Sequence, residues 1–182
     1  MREVELYCGS TFSDERGTSV VKKLPEWLEE PLVTGVAIAD QTEVSVNGLP
    51  EDVELYTKIC NEFAARHINL DMISLVLGAG KASVTFSVTK GDLTGVKPAL
   101  DAALSGVDGW FFDLEKVAKV SAEGVGMQSA SGVAGRFFGA LAKSGVTVLA
   151  SSTSEIKIAV LVPRTQGKAA VNALMDEFEL KE

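Results

Sequence analysis

Apolar and polar residues alternate in several short runs along this chain, and the runs are separated by stretches with helical spacing. EVSVNGLP (43–50) and KVSAEGVG (119–126) both alternate and then break, which predicts a strand that stops at a loop. After the first, Val53, Tyr56, Ile59, Cys60 and Phe63 recur at helical intervals; after the second, Val133, Phe137, Ala140 and Leu141 do. Two further strands follow in each copy, HINLDMISLV (67–76) with KASVTFSV (81–88), and SGVTVLASS (144–152) with EIKIAVLV (155–162). A second helix closes each copy, marked by Val96, Leu100 and Leu104 in one and by Val171, Leu174, Met175 and Phe178 in the other. The order β-α-β-β-α therefore occurs twice, as an internal repeat.

A ferredoxin-like sheet of this order needs a fourth strand. GWFFDLEK (109–116) supplies one for the first copy, whereas nothing follows the last helix of the second. TGVAIADQ (34–41), ahead of the first copy, is left over. The expected fold is α+β: two ferredoxin-like βαββαβ domains, the first inserted in the second. The expected boundaries are 42–116 for the first domain and 34–41 plus 117–182 for the second, the assignment with the shortest connections. Residues 1–33 are expected as an N-terminal segment, in which REVELYCGSTF alternates like a strand, Gly17 marks a turn, and Pro25 and Pro31 punctuate the rest.

Composition narrows the chemistry. The chain has 182 residues, 46% of them hydrophobic, enough to bury a core without disulfides. A net charge of −8 and no basic run longer than Lys22-Lys23 count against a nucleic-acid partner. No run approaches the about 20 apolar residues of a membrane span, and MREVELYCGS has no apolar signal core, so no membrane partner and a cytoplasmic location are expected. Two cysteines without a CxxC and one histidine leave no ligand set for a metal, and no cofactor is expected. Cys60 reads as a small core residue, and His67 as a helix-end residue bonding terminal carbonyls. The single histidine also makes a hydrolytic triad improbable.

The candidate chemistry lies in GVGMQSASGVAGRFFGALAKSG (124–145), a glycine-rich loop running into a helix. Exposed amides and a positive dipole at a helix start favour an anionic oxygen. The loop lacks the Gly-Lys-Ser/Thr ending of a nucleotide loop. Two readings stay open: a helix cap without a ligand, in which Ser129 or Ser131 caps the helix, and a carboxylate-binding loop in which Gly132 admits the ligand. The ammonium group of an amino acid would need acceptors from the other copy, with Asp71 in INLDMI the best placed. Gly135 and Gly139, four apart on one helix face, read as close helix packing.

The stretch from KVSAEGVGMQSASG to STSEIKIAVLV (119–162) resembles the second ACT domain of aspartate kinases, STSEIKI being its most specific part. VTGVAIADQTEVSVNGLP and HINLDMI are similar to the first ACT domain of that family, and ELYCGSTFSDERGTSVV to the last segment of its kinase domain. The resemblance implies a regulatory region binding lysine or threonine as an amino-acid effector, a homodimer built through the ACT domains, and an aspartate kinase catalytic domain or subunit as partner. It implies effector-binding residues Met127, Gln128, Ser129, Ala130, Ser131, Gly132 and Val133 in the loop, and Asn69, Leu70 and Asp71 in the other copy. Thr147 and Val148 would face the first copy's loop (50–56), and Ser154 and Glu155 form a polar tip beside the site. No catalytic residue is expected, and no KFGGTS-like nucleotide loop is present, so the chain alone is not expected to phosphorylate aspartate. Glu54 stands where the family's first loop has a glycine, and Leu75-Val76 replace its polar pair; both changes point to a degenerate first site. In the second loop Gln128 replaces a basic residue and Ala130-Ser131 replace His-Pro. An assembly module that has lost its ligand is the alternative.

Overall fold

The computed structural model describes residues 6–8, 18–20, 32–78 and 80–180. Two compact units divide the chain, 1–31 and 32–182. In the first, Leu6–Cys8 (β1) pairs antiparallel with Thr18–Val20 (β2). The turn at Gly17, the punctuation at Pro25 and Pro31 and the kinase-like remainder of that segment lie outside the described residues.

The second unit is built on a six-stranded antiparallel sheet with helices, an α+β arrangement. Its elements are β3 (Gly35–Leu49), α1 (Val53–Ala65), β4 (Asp71–Gly78), β5 (Lys81–Val88), α2 (Leu93–Ala103), β6 (Phe111–Glu123), α3 (Val133–Lys143), β7 (Ala150–Thr153), β8 (Lys157–Pro163) and α4 (Gly167–Glu177). The strand order is β4-β5-β3-β6-β8-β7. Sequence periodicity divides 34–50 into two strands and separates 109–116 from the strand at 119, but each pair is one continuous strand. Neither glycine nor proline interrupts Val36–Asn47 or Phe111–Glu123, and the two pair without a break from Gly35↔Glu123 to Asn47↔Phe111.

That long ladder serves two half-sheets. Residues Thr42–Leu49 of β3 pair with β5, whereas Val117–Glu123 of β6 pair with β8. Even-numbered residues of both strands face the helices. Val44 and Val46 enter a core with Leu55, Ile59, Phe63, Val96 and Leu100; Ala118, Val120 and Ala122 enter another with Phe137, Leu141 and Leu174. On α1 the apolar set shifts from the periodic reading: Val53 is 77% exposed and Leu55 is buried. Cys60 is likewise exposed rather than in the core, because Leu55, Ile59 and Phe63 already fill the face turned to the sheet. A Cβ on Gly135 or Gly139 of α3 would meet nothing within 4 Å, so these glycines support no close helix packing among the described residues. The α3 face turned to the core is instead Val133, Phe137, Ala140 and Leu141, as the spacing predicts.

The helix-free face of the sheet is folded inward. The edge strands β4 and β7 come into contact although they stand at opposite ends of the strand order. Val117, Leu161 and Ser87, all on this face, are fully buried.

Three helix ends use one device, in which a residue of left-handed backbone follows the cap and its two neighbouring amides turn back on the last turn. After α1, His67 takes this position at φ 57°, with His67 N–H donating to Ala64 and Ile68 N–H to Phe63. Gly145 does the same after α3, with Val146 N–H donating to Leu141, and Glu179 after α4, with Leu180 N–H donating to Met175. The expectation that His67 bonds terminal carbonyls therefore holds through its backbone.

Gly48 and Gly124 occupy matching places in the two copies, at EVSVNG and KVSAEG. A Cβ on Gly48 would stand 2.6 Å from the Gly109 carbonyl oxygen, where the chain enters β6. A Cβ on Gly124 would collide with the Leu32 carbonyl oxygen and stand 2.8 Å from the Val33 Cα, where the chain enters β3.

Candidate functional site

Both copies place a loop between their first strand and first helix, and the two loops differ at the helix start. In the first, Asp52 is the N-cap of α1, and its carboxylate accepts from the Glu54 amide at 2.9 Å. The Asp52 amide donates to the Pro50 carbonyl, and Tyr56 Oη donates to the same oxygen at 3.4 Å. An anion thus already sits on one of the free α1 amides, that of Glu54, whose own side chain adds a second negative charge in the first turn.

In the second loop the cap of α3 is Gly132, at φ 87°, and no side chain caps the helix. The expected Ser129 or Ser131 cap does not form. Ser129 Oγ instead donates to the Gly126 carbonyl at 3.3 Å, and Ser131 is exposed. A left-handed residue immediately before Val133 turns the serines away from the amides, a geometry glycine adopts without strain. Met127 is anchored in the second core and its amide donates to the Gly124 carbonyl; Ala130 packs at the edge of that core. Val133 is buried, so the loop is pinned at both ends around the Gln128–Gly132 arc, of which all but the half-buried Ala130 is exposed.

The polar tip between β7 and β8 is stitched to this loop. Gln128 Nε2 donates to the Glu155 carboxylate, and the Gly124 amide donates to the Ile156 carbonyl at 2.9 Å. Ser154 closes the tip, its amide and hydroxyl both donating to the Lys157 carbonyl. The structure therefore brings Met127–Val133, Ser154 and Glu155 to one end of the second half-sheet.

Thr147 and Val148 lie ahead of β7 rather than in it; the Thr147 amide donates to Gln166 Oε1 at 2.7 Å. Asn69 is exposed and Leu70 packs at the edge of the first core, both ahead of β4. No hydrogen bond or ion pair joins Asn69–Asp71 to Met127–Val133 among the described residues.

Asp71 is already partnered. Lys119 Nζ and Gln41 Nε2 both donate to its Oδ2, and the Met72 amide donates to its Oδ1. The residue pairs Asp71↔Ser87 and Ser74↔Thr85 leave one extra residue on β4, a bulge at which Met72 adopts φ 49°. The bulge aims the carboxylate across the folded face at Lys119, and Ser87 Oγ closes the cluster on Gln41 and the Asp71 carbonyl. Burial alone would raise the Asp71 carboxyl; the Lys119 and Gln41 hydrogen bonds, the Lys119 charge and the Met72 amide outweigh it and hold the group below its ordinary value. Lys119, Gln41 and Ser87 do not emerge from sequence reasoning. Only the polar side of the alternating KVSAEG run marks Lys119, and nothing marks the bulge.

A lysine already on Asp71 means that an incoming ammonium group at this carboxylate would have to displace Lys119. The amides of α3 carry no such incumbent side chain. Among the described residues no cluster of histidine, cysteine and acidic groups fits a metal ion, and no helix is long and apolar enough to cross a membrane.

Residues 120–178 match the family model described as the ACT domain. The chain is 36% identical to an aspartokinase of Helicobacter pylori over 97% of its own length and 45% of the relative's. It therefore spans less than half the length of the curated relatives it matches. Among solved structures, the ligand-free regulatory subunit of aspartate kinase from Thermus thermophilus superposes with a TM-score of 0.75 at 32% identity, covering 81% of this chain and 99% of that one. A chain from a structure of aspartokinase alpha and beta subunits gives a TM-score of 0.72 at 32% identity, over 81% of this chain and 99% of that one. With a regulatory subunit matched across almost its entire length, the chain belongs to the aspartate kinase family and corresponds to its ACT-domain regulatory region.

Proposed function

We propose that this region binds a free amino acid, lysine or threonine, and through it sets the activity of an aspartate kinase catalytic domain or subunit. The observation that carries this reading is the contrast between the two helix starts. The α1 amides hold the protein's own Asp52 carboxylate, whereas α3 opens behind Gly132 with no side-chain cap. A ligand carboxylate at α3 would take the position that Asp52 takes at α1. We divide the region into two ACT units, 42–116 and 34–41 plus 117–182, a division supported by the switch of partners along β3 and β6. Met127–Val133 would receive the carboxylate, and Ser154 and Glu155 would flank it. Asn69–Asp71 and Thr147–Val148 would complete ligand sites across a homodimer. Regulation would follow from differential affinity: an effector that favours one arrangement of the units shifts the population of kinase states.

Isothermal calorimetry and thermal shift with lysine, threonine and methionine test this directly. Heat and a rise in Tm with one of the first two are expected; no heat and no shift with any of the three rejects the sensor. A second reading, an ACT-fold assembly module without a ligand, is favoured by the first loop, where Asp52 and Glu54 occupy the helix start. The same titrations choose between them.

A further inference from the structure

The two copies differ in what crosses their matching glycines. At Gly48 the crossing backbone is Gly109–Trp110, an internal connection from α2 to β6. At Gly124 it is Leu32–Val33, the point where the preceding chain enters the sheet. Three contacts tie that entry to the root of the second loop. The Thr34 amide donates to the Glu123 carbonyl at 2.8 Å, and Thr34 Oγ1 donates to the same oxygen at 3.1 Å. Val33 is buried in the core that holds Met127. The Met127 amide donates to the Gly124 carbonyl, so the loop begins on the residue that the entering chain covers.

We propose that Gly124 is a positioning residue that couples the loop Met127–Gly132 to the chain entering at Leu32–Thr34. A displacement of the loop moves Gly124, and the Leu32 backbone, with no room for even a methyl group between them, must follow. The trigger rests on the ligand reading above, since an amino acid at the loop is the input; the mechanical link does not. Because the first copy's crossing leads only to β6, its loop has no such output. The arrangement makes the second loop alone the one whose state reaches Leu32–Thr34.

Amide hydrogen exchange at Thr34 reads the link. Gly132→Ala strains the loop at its left-handed residue and is expected to speed Thr34 exchange about fivefold. Gln128→Ala, which removes only the bond to Glu155, is expected to speed it in the same direction and serves if the first variant does not fold. Gly48→Ala crowds the matching point of the first copy and is expected to leave Thr34 unchanged. Unchanged exchange in the loop variants, or an equal increase in Gly48→Ala, overturns the proposal. With saturating lysine or threonine, calorimetric heat accompanied by slower Thr34 exchange supports both link and sensor. Heat with unaltered Thr34 exchange overturns the link and keeps the sensor. Absence of heat alongside responsive loop variants overturns the sensor and keeps the link.

Discussion

Lys119 of β6 closes on the Asp71 carboxylate of β4, joining two strands that are not neighbours in the sheet. The pair is what the fold of the sheet brings together, and it is half-shielded from water, so its contribution is modest. Lys119→Met should lower stability by about 1 kcal/mol, read as a shift in the urea midpoint. The sign of the pH dependence follows from the lowered Asp71 carboxyl. Its stabilisation is fully present above the ordinary value of 3.8 and is lost as pH falls through the lower folded value. Asp71→Asn should therefore flatten the loss of stability as pH falls below the ordinary carboxyl value of 3.8, measured by denaturant titration of both proteins.

Glu43 and Glu115 oppose each other directly across β3 and β6, and one Glu43 carboxylate oxygen is buried without a hydrogen-bond partner among the described residues. Burial raises the Glu43 carboxyl and the Glu115 charge raises it further, against a weaker pull from the Ser45 hydroxyl. A raised folded value means stability that is present below the unfolded 4.5 and is lost as pH rises through the folded value. At neutral pH the pair is a net cost. Glu43→Gln is expected to raise stability there by about 0.5 kcal/mol and to have no such effect at about pH 4. An equal gain at both pH values would show that packing, not charge, is responsible.

What the sequence made legible was set by local physics. The even positions of KASVTFSV and the stripe Val133, Phe137, Ala140, Leu141 are each decided by one neighbour layer, and they appear as read. Val53 and Cys60 are exposed against the periodic reading because the periodicity of α1 admits two adjacent faces, and the sheet beneath selects the one with Leu55. At the candidate site, the glycine-rich loop ahead of α3 was readable from its glycines, whereas the serine cap was not, since Gly132 takes the cap position. The Asp71 cluster was not, since Lys119 reaches it only after the sheet folds and a bulge turns the carboxylate.

His67 pays for its left-handed backbone where Gly145, at the matching helix end, does not. His67→Gly should stabilise the protein by about 0.5–1 kcal/mol, while Gly145→Ala should destabilise it by about 1 kcal/mol. Thermal unfolding of the two variants checks both signs at once. A loss in His67→Gly would mean that the imidazole makes a contribution beyond the backbone.

Asp52→Ala removes the side-chain N-cap of α1 and should cost about 1 kcal/mol. If the second loop is the ligand site, the heat of lysine or threonine binding should survive the change. A new, additional binding event in this variant would show that Asp52 had been occupying a competent site.

The crossing at Gly124 also orders events in time. Among the described residues Val36 and Ile38 pair with Ala122 and Val120, and those in turn pair with β8, more than a hundred residues later than Val36. Residues 42–116 contain every strand of their own half-sheet and can assemble while the remainder is still being made. The early strand that precedes them must wait on the ribosome, apolar and unpaired, until residues 117–163 emerge. Slow translation through that stretch would lengthen the exposure, and chaperone demand should fall on this segment first.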